Sequence, residues 1–139
     1  MTILYSCSDR VPVQMGDMTF YFSPYSQRQK MEYMGMIKAC GEDPQKLMDV
    51  VTKMVRTSLK SAQGIERPNG DRWQVDIGED NLITENCMGE LMNIEVINEI
   101  FTIAGILVNG IPRDGQVIHP QTGRPLEGVH VKKSLSKVQ

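Results

Sequence analysis

The sequence predicts an α+β fold, mostly helical, with an N-terminal β-hairpin, three or four helices, a short second hairpin and a turn-rich C-terminal tail. Three observations lead there. Apolar residues alternate around a Gly-Asp turn near the N-terminus. Two later segments carry apolar residues at helical spacing between recognisable caps. Beyond residue 112 the apolar periodicity stops. The 139 residues suit one domain, which these patterns place at residues 1–112. Residues 113–139 form a partly mobile tail, expected to be dispensable for folding.

The hairpin is read from residues 11–22. Met18, Phe20 and Phe22 alternate with Thr19 and Tyr21, the period of a half-buried strand, and Gly16-Asp17 supplies the turn. Pro12 puts the first strand at an edge or a start. Ser26 and Gln29 then have capping-box spacing. Tyr33, Met36, Ile37 and Cys40 fall on one helical face, ended by Gly41.

The second helix has Asp43 as its cap and Pro44 at its first position. Leu47, Val50, Val51, Met54, Val55 and Ser58 make its apolar stripe, and Gly64 is expected to close it. Lys46, Asp49, Lys53, Arg56 and Lys60 lie away from that stripe. Pro68-Asn69-Gly70-Asp71 is turn chemistry, and Trp73, Val75 and Ile77 alternate beyond it, giving a short, solvated second hairpin.

Thr84 caps a third helical region, which Asn93 interrupts. From Ile94 to Val108 apolar residues cover nearly the whole helical circumference, so that segment must be buried on most sides. One small domain is not expected to cover it all. Val96, Ile100, Phe101 and Ile103 are therefore candidate contacts with a second copy or a protein partner. Asn109-Gly110-Ile111-Pro112 ends the helix. The tail holds a succession of turn dipeptides, one short strand near Val129–Val131, and a polar, basic ending.

Composition restricts the function. The net charge is −2 and the isoelectric point is about 5.7, without the basic stripe of a nucleic-acid binder. The apolar stretch Val96–Val108 is broken by Asn98, Glu99 and Thr102, and is too short to span a bilayer. Met1–Cys7 lacks a signal peptide's charged and apolar regions. The expected location is therefore inside the cell that makes the protein. Cys7, Cys40 and Cys87 stand far apart, an odd count without C-x-x-C spacing, which argues against disulfides and structural zinc. The ten methionines suit either an irregular core or an adaptable protein-binding surface.

Chemistry is hard to find. His119 and His130 both fall in the tail, without ligands at metal spacing. Glu95 and Glu99, four apart, read as a solvated helix edge. Asp71, Asp76 and Asp80 do not match a calcium loop, and no phosphate-cradling glycine motif occurs. No enzyme, cofactor or metal centre is expected.

The order of features is informative. The hairpin leads into Phe22-Ser23-Pro24-Tyr25-Ser26-Gln27-Arg28-Gln29-Lys30, two amphipathic helices and an acidic hairpin. Leu91-Met92-Asn93-Ile94-Glu95, the Asn109-Gly110-Ile111-Pro112 stop and His119-Pro120-Gln121-Thr122-Gly123-Arg124-Pro125-Leu126-Glu127-Gly128 follow. In size, order and texture, over most of its length, the chain resembles the short tail assembly chaperones of long-tailed (siphovirus-type) bacteriophages. None of these strings is a diagnostic motif.

The resemblance implies a non-enzymatic, partly helical homo-oligomer. It would engage the tape measure protein, and with it the tail tube protein, in the host cell cytoplasm during tail assembly. It also implies a frameshifted longer form, for which Lys132 and Lys133 mark a candidate slippery stretch and partner-binding site. Two other classes stay open: a structural or connector protein retained in the virion, and a small nucleic-acid-binding regulator.

Overall fold

The computed structural model describes residues 8–109, 115–118 and 124–131. The chain is α+β, with helix the larger share. In order, the elements are β1 (Val11–Met15), β2 (Met18–Phe22), α1 (Gln27–Cys40), α2 (Pro44–Ser58), β3 (Leu59–Gln63), α3 (Glu85–Leu91) and α4 (Ile97–Ile106). A 3-10 turn (Leu107–Asn109) continues α4, and β4 (Gly115–Ile118) and β5 (Pro125–Val131) complete the sequence. One antiparallel sheet runs β3-β2-β1-β5-β4.

Strand register sorts the side chains by face. Val13 faces Phe20 on one side and Val131 on the other, and Phe20 faces Ala62. These apolar residues therefore share one side of the sheet, where all are buried in the same cluster as the helices' apolar stripes. Each fully buried large side chain, such as Phe20 or Phe22, stabilises the fold by about 1.5–3 kcal/mol. The opposite side carries the row Gln63–Thr19–Gln14–His130 across β3, β2, β1 and β5. There the Tyr21 hydroxyl donates to Gln63 Oε1 at 3.0 Å.

Local chemistry explains the helix ends. Ser26 and Gln29 make both halves of the capping box, and the Asp43 carboxylate accepts from the Gln45 and Lys46 amides. Thr84 Oγ1 accepts from the Cys87 amide. Tyr25 ties the helical layer together. Its hydroxyl proton is shared between the Met54 carbonyl of α2 (3.2 Å) and the Ala104 carbonyl of α4 (3.1 Å). Its ring meets Tyr33 of α1 edge-on at 5.1 Å. Burial pushes the Tyr25 phenol above its ordinary pKa, so it stays neutral and keeps that proton.

Four expectations are corrected. First, α2 stops at Ser58, and Leu59–Gln63 is a strand. Gly64 closes that strand at φ +87°, packed so tightly on the Asp17 carbonyl that a Cβ would not fit. Second, the tail is not separate from the core. β4 and β5 complete the sheet, and Val117, Val129 and Val131 are buried. The basic ending, residues 132–139, lies outside the described residues.

Third, the second hairpin reduces to the isolated bridge Glu66–Arg72 around the expected turn, with a separate bridge Ile77–Ile83 beyond it, and Trp73 is buried rather than solvated. Fourth, the apolar helix is shorter than Ile94–Val108, beginning at Ile97 after the break near Asn93.

Candidate protein-binding surfaces

The predicted interface on α4 does not face outward. Ile100 and Ile103 are 0% exposed within a single chain, so they hold the core and are closed to a partner. Val96 and Phe101 are half-buried and pack against that core. Lys132 and Lys133 lie outside the described residues. Glu99 is also not the solvated residue expected: its Oε2 is shielded from solvent and has no hydrogen-bond partner among the described residues.

Exposed apolar surface appears instead on the first two helices. Met31 and Met34 of α1 are 65% and 50% exposed, and Leu47 and Met48 of α2 are 41% and 44% exposed. Met31, Met34 and Gly35 stand at i, i+3 and i+4 on the side of α1 away from Tyr33 and Cys40, and a Cβ on Gly35 would meet no other atom. Leu47 belongs to the α2 apolar stripe by spacing, yet the core covers that stripe only from Val50 onward. The apolar stripe thus overshoots its own core by one turn.

The methionine count had raised a partner surface as an option without locating it. The signal was present in α1, where Met31 and Met34 lie off the Tyr33-Met36-Ile37-Cys40 face. Methionine side chains are unbranched and polarizable, so such a face adapts to varied partners.

A second surface is a groove of about 900 Å³ beside the outer edge of β3. It is lined by Ser61, Ala62 and Gln63 on one side and Gln74 and Val75 on the other, with Glu66 and Arg72 near the end where the walls join. The walls are the two limbs of one excursion. They are zipped where the Trp73 amide donates to the Ile65 carbonyl at 2.9 Å, and they separate beyond it. Both limbs are anchored to α3. Arg67 holds Glu90 through two bonds of 2.6 and 3.2 Å, and Trp73 Nε1 donates to the same carboxylate at 3.2 Å. These bonds, Arg67's first, hold the Glu90 carboxyl below its ordinary range.

Titratable chemistry is sparse. Cys40 and Cys87 are buried free thiols, and burial pushes Cys87 upward. Its sulfur accepts the Asp76 amide at 3.3 Å. Among the described residues, no three His, Cys, Asp or Glu side chains gather as metal ligands do. No helix among them is long and apolar enough to cross a membrane. No known protein family, curated protein or solved structure matches the chain.

Proposed function

We propose that this protein is a non-enzymatic phage tail assembly chaperone, binding the tape measure protein, and with it the tail tube protein, as a homo-oligomer in the host cytoplasm. The observation that carries the reading is the placement of Met31, Met34, Leu47 and Met48 in solvent on two well-capped helices. Exposed apolar side chains on a rigid scaffold mark interaction sites. Unbranched ones suit a chaperone that must hold a long client without a fixed register. The order of sequence features shared with tail assembly chaperones supplies the identity of that client.

The test is co-expression with the tape measure protein encoded in the same genome. The expected result is that the client stays in the supernatant with this chain and pellets with the Met31→Lys, Met34→Lys double variant. A client that pellets either way overturns the reading. Stoichiometric recovery of this chain in purified particles would favour a structural virion protein instead.

A further inference from the structure

The outer edge of β3 and the segment facing it form a slot for a strand. In the two-residue hairpin, Met15 and Met18 close the turn, so alternate residues of β2 point their backbone groups toward β1 and toward β3. The Ser23 amide bonds the Ser58 carbonyl at 2.7 Å, which assigns Thr19, Tyr21 and Ser23 to the β3 side. Their partners Ser61 and Gln63 consequently point inward. Ala62, between them, points its N–H and C=O outward into the groove.

The opposite wall obeys the same alternation. The Asp76 amide and carbonyl face α3, bonding Cys87 Sγ and the Thr84 amide, while the Trp73 amide faces back to Ile65. Burial alternates along Trp73–Ile77 as in an extended chain. Val75 therefore turns its N–H and C=O toward β3. Among the described residues neither Ala62 nor Val75 has a backbone partner on its groove side. Lysine often guards such an edge, but the Lys60 ammonium is turned aside to the Asn81 carbonyl at 2.9 Å.

We propose that this slot takes an extended, uncharged segment of a partner polypeptide, inserted as a strand bonded to Ala62 on one side and Val75 on the other. The slot offers main-chain donors and acceptors on both walls, which an extended peptide backbone complements. The neutral side chains Ser61, Gln63 and Gln74 flank it, and Glu66 and Arg72 offset each other at its closed end. A segment alternating polar and apolar residues places its polar side over Ser61 and Gln63 and its apolar side beside the buried Ala62. The inference shares with the chaperone reading only the class of partner, and it uses none of the residues of the methionine surface.

The experiment uses the full chain and the peptide acetyl-Thr-Val-Thr-Val-Thr-amide at millimolar concentration, followed by amide NMR and hydrogen exchange. In the free protein the Ala62 and Val75 amides should exchange quickly. With peptide, both signals should move and exchange should slow by about tenfold or more. Ala62→Pro removes an outward N–H on an edge strand, where proline is tolerated. It should keep the melting transition and weaken binding by about tenfold, the loss of one hydrogen bond. A peptide N-methylated at alternate residues should not bind.

The proposal is overturned if either amide is protected in the free monomer, or if the peptide leaves both signals unmoved. Unfolding by Ala62→Pro would show that the N–H points inward, and overturns it as well. A self-associated protein that Ala62→Pro converts to monomer would give the slot to a second copy instead. None of these outcomes bears on the tape measure co-expression, so the two readings fail separately.

Discussion

Arg56 and Ile83 hold each other twice: the Ile83 amide donates to the Arg56 carbonyl at 3.1 Å, and Arg56 Nε donates to the Ile83 carbonyl at 2.8 Å. Arg56 sits opposite the apolar stripe of α2, where a solvated side chain was expected. Instead it clamps the irregular stretch between β3 and α3 against the last turn of the helix. Ile83 is fully buried, so its carbonyl has little access to water if the guanidinium is removed. Arg56→Ala should cost about 1–2 kcal/mol in urea denaturation, the price of an unsatisfied buried acceptor. Arg56→Lys should rescue little, because an ammonium lacks the planar Nε–H.

Ile100 and Ile103 should behave as core residues. Replacing either with alanine is expected to destabilise the chain by about 2–5 kcal/mol, with no change in mass by analytical ultracentrifugation. The exposed Met31→Lys should shift stability by no more than about 0.5 kcal/mol. A drop in mass on Ile103→Ala with the melt unchanged would return α4 to the role of interface.

The Arg67–Glu90 pair gives the excursion an acid sensitivity. Glu90's carboxyl is depressed in the folded chain, first by Arg67 and then by Trp73. The unfolded chain therefore takes up the proton more readily than the folded one. The contribution is complete above the unfolded value near 4.3 and is lost as pH falls through the lower folded value. The melting temperatures of the native protein and Glu90→Gln should differ by a constant amount above about pH 5, then converge on acidification. Both groups are largely exposed, so salt should narrow the gap.

Gly35 occupies the middle of α1 with nothing packed on it. Glycine there costs the helix about 0.5–1 kcal/mol relative to alanine. Gly35→Ala should raise stability by that amount in thermal denaturation. If the methionine face holds a client, the same substitution beside Met31 and Met34 should weaken client retention in co-expression.

The parts of the fold legible in the sequence are those fixed by near neighbours. The capping box at Ser26, the Asp43-Pro44 start, the Gly16-Asp17 turn and the break near Asn93 each depend on residues a few positions apart, and each is where it was expected. β3 was concealed because Leu59 and Ala62 continue helical spacing past Ser58, and Gly64 imitates a helix stop. β4 and the first half of β5 were concealed because turn residues surround them and the partner β1 of β5 lies far away in sequence; only Val129–Val131 was expected as a strand. α4 was expected to outrun its own domain because apolar residues surround it, but it packs against α2 and its buried residues join the core cluster. The slot at Ala62 and Val75 was not legible, because it is made of backbone direction rather than side-chain identity.

The place of β5 in the sheet sets a timetable. β1 is synthesised long before β5, the strand that covers its second edge. At about 5–20 residues per second, the ribosome leaves that edge bare for roughly 5–20 s. During that interval the nascent chain shows Val13 and Met15, their register unfilled, to every other chain emerging nearby. Completion of the sheet is thus tied to the synthesis of β5, and a ribosome that stalls before Pro125 would release a sheet whose β1 edge is still open.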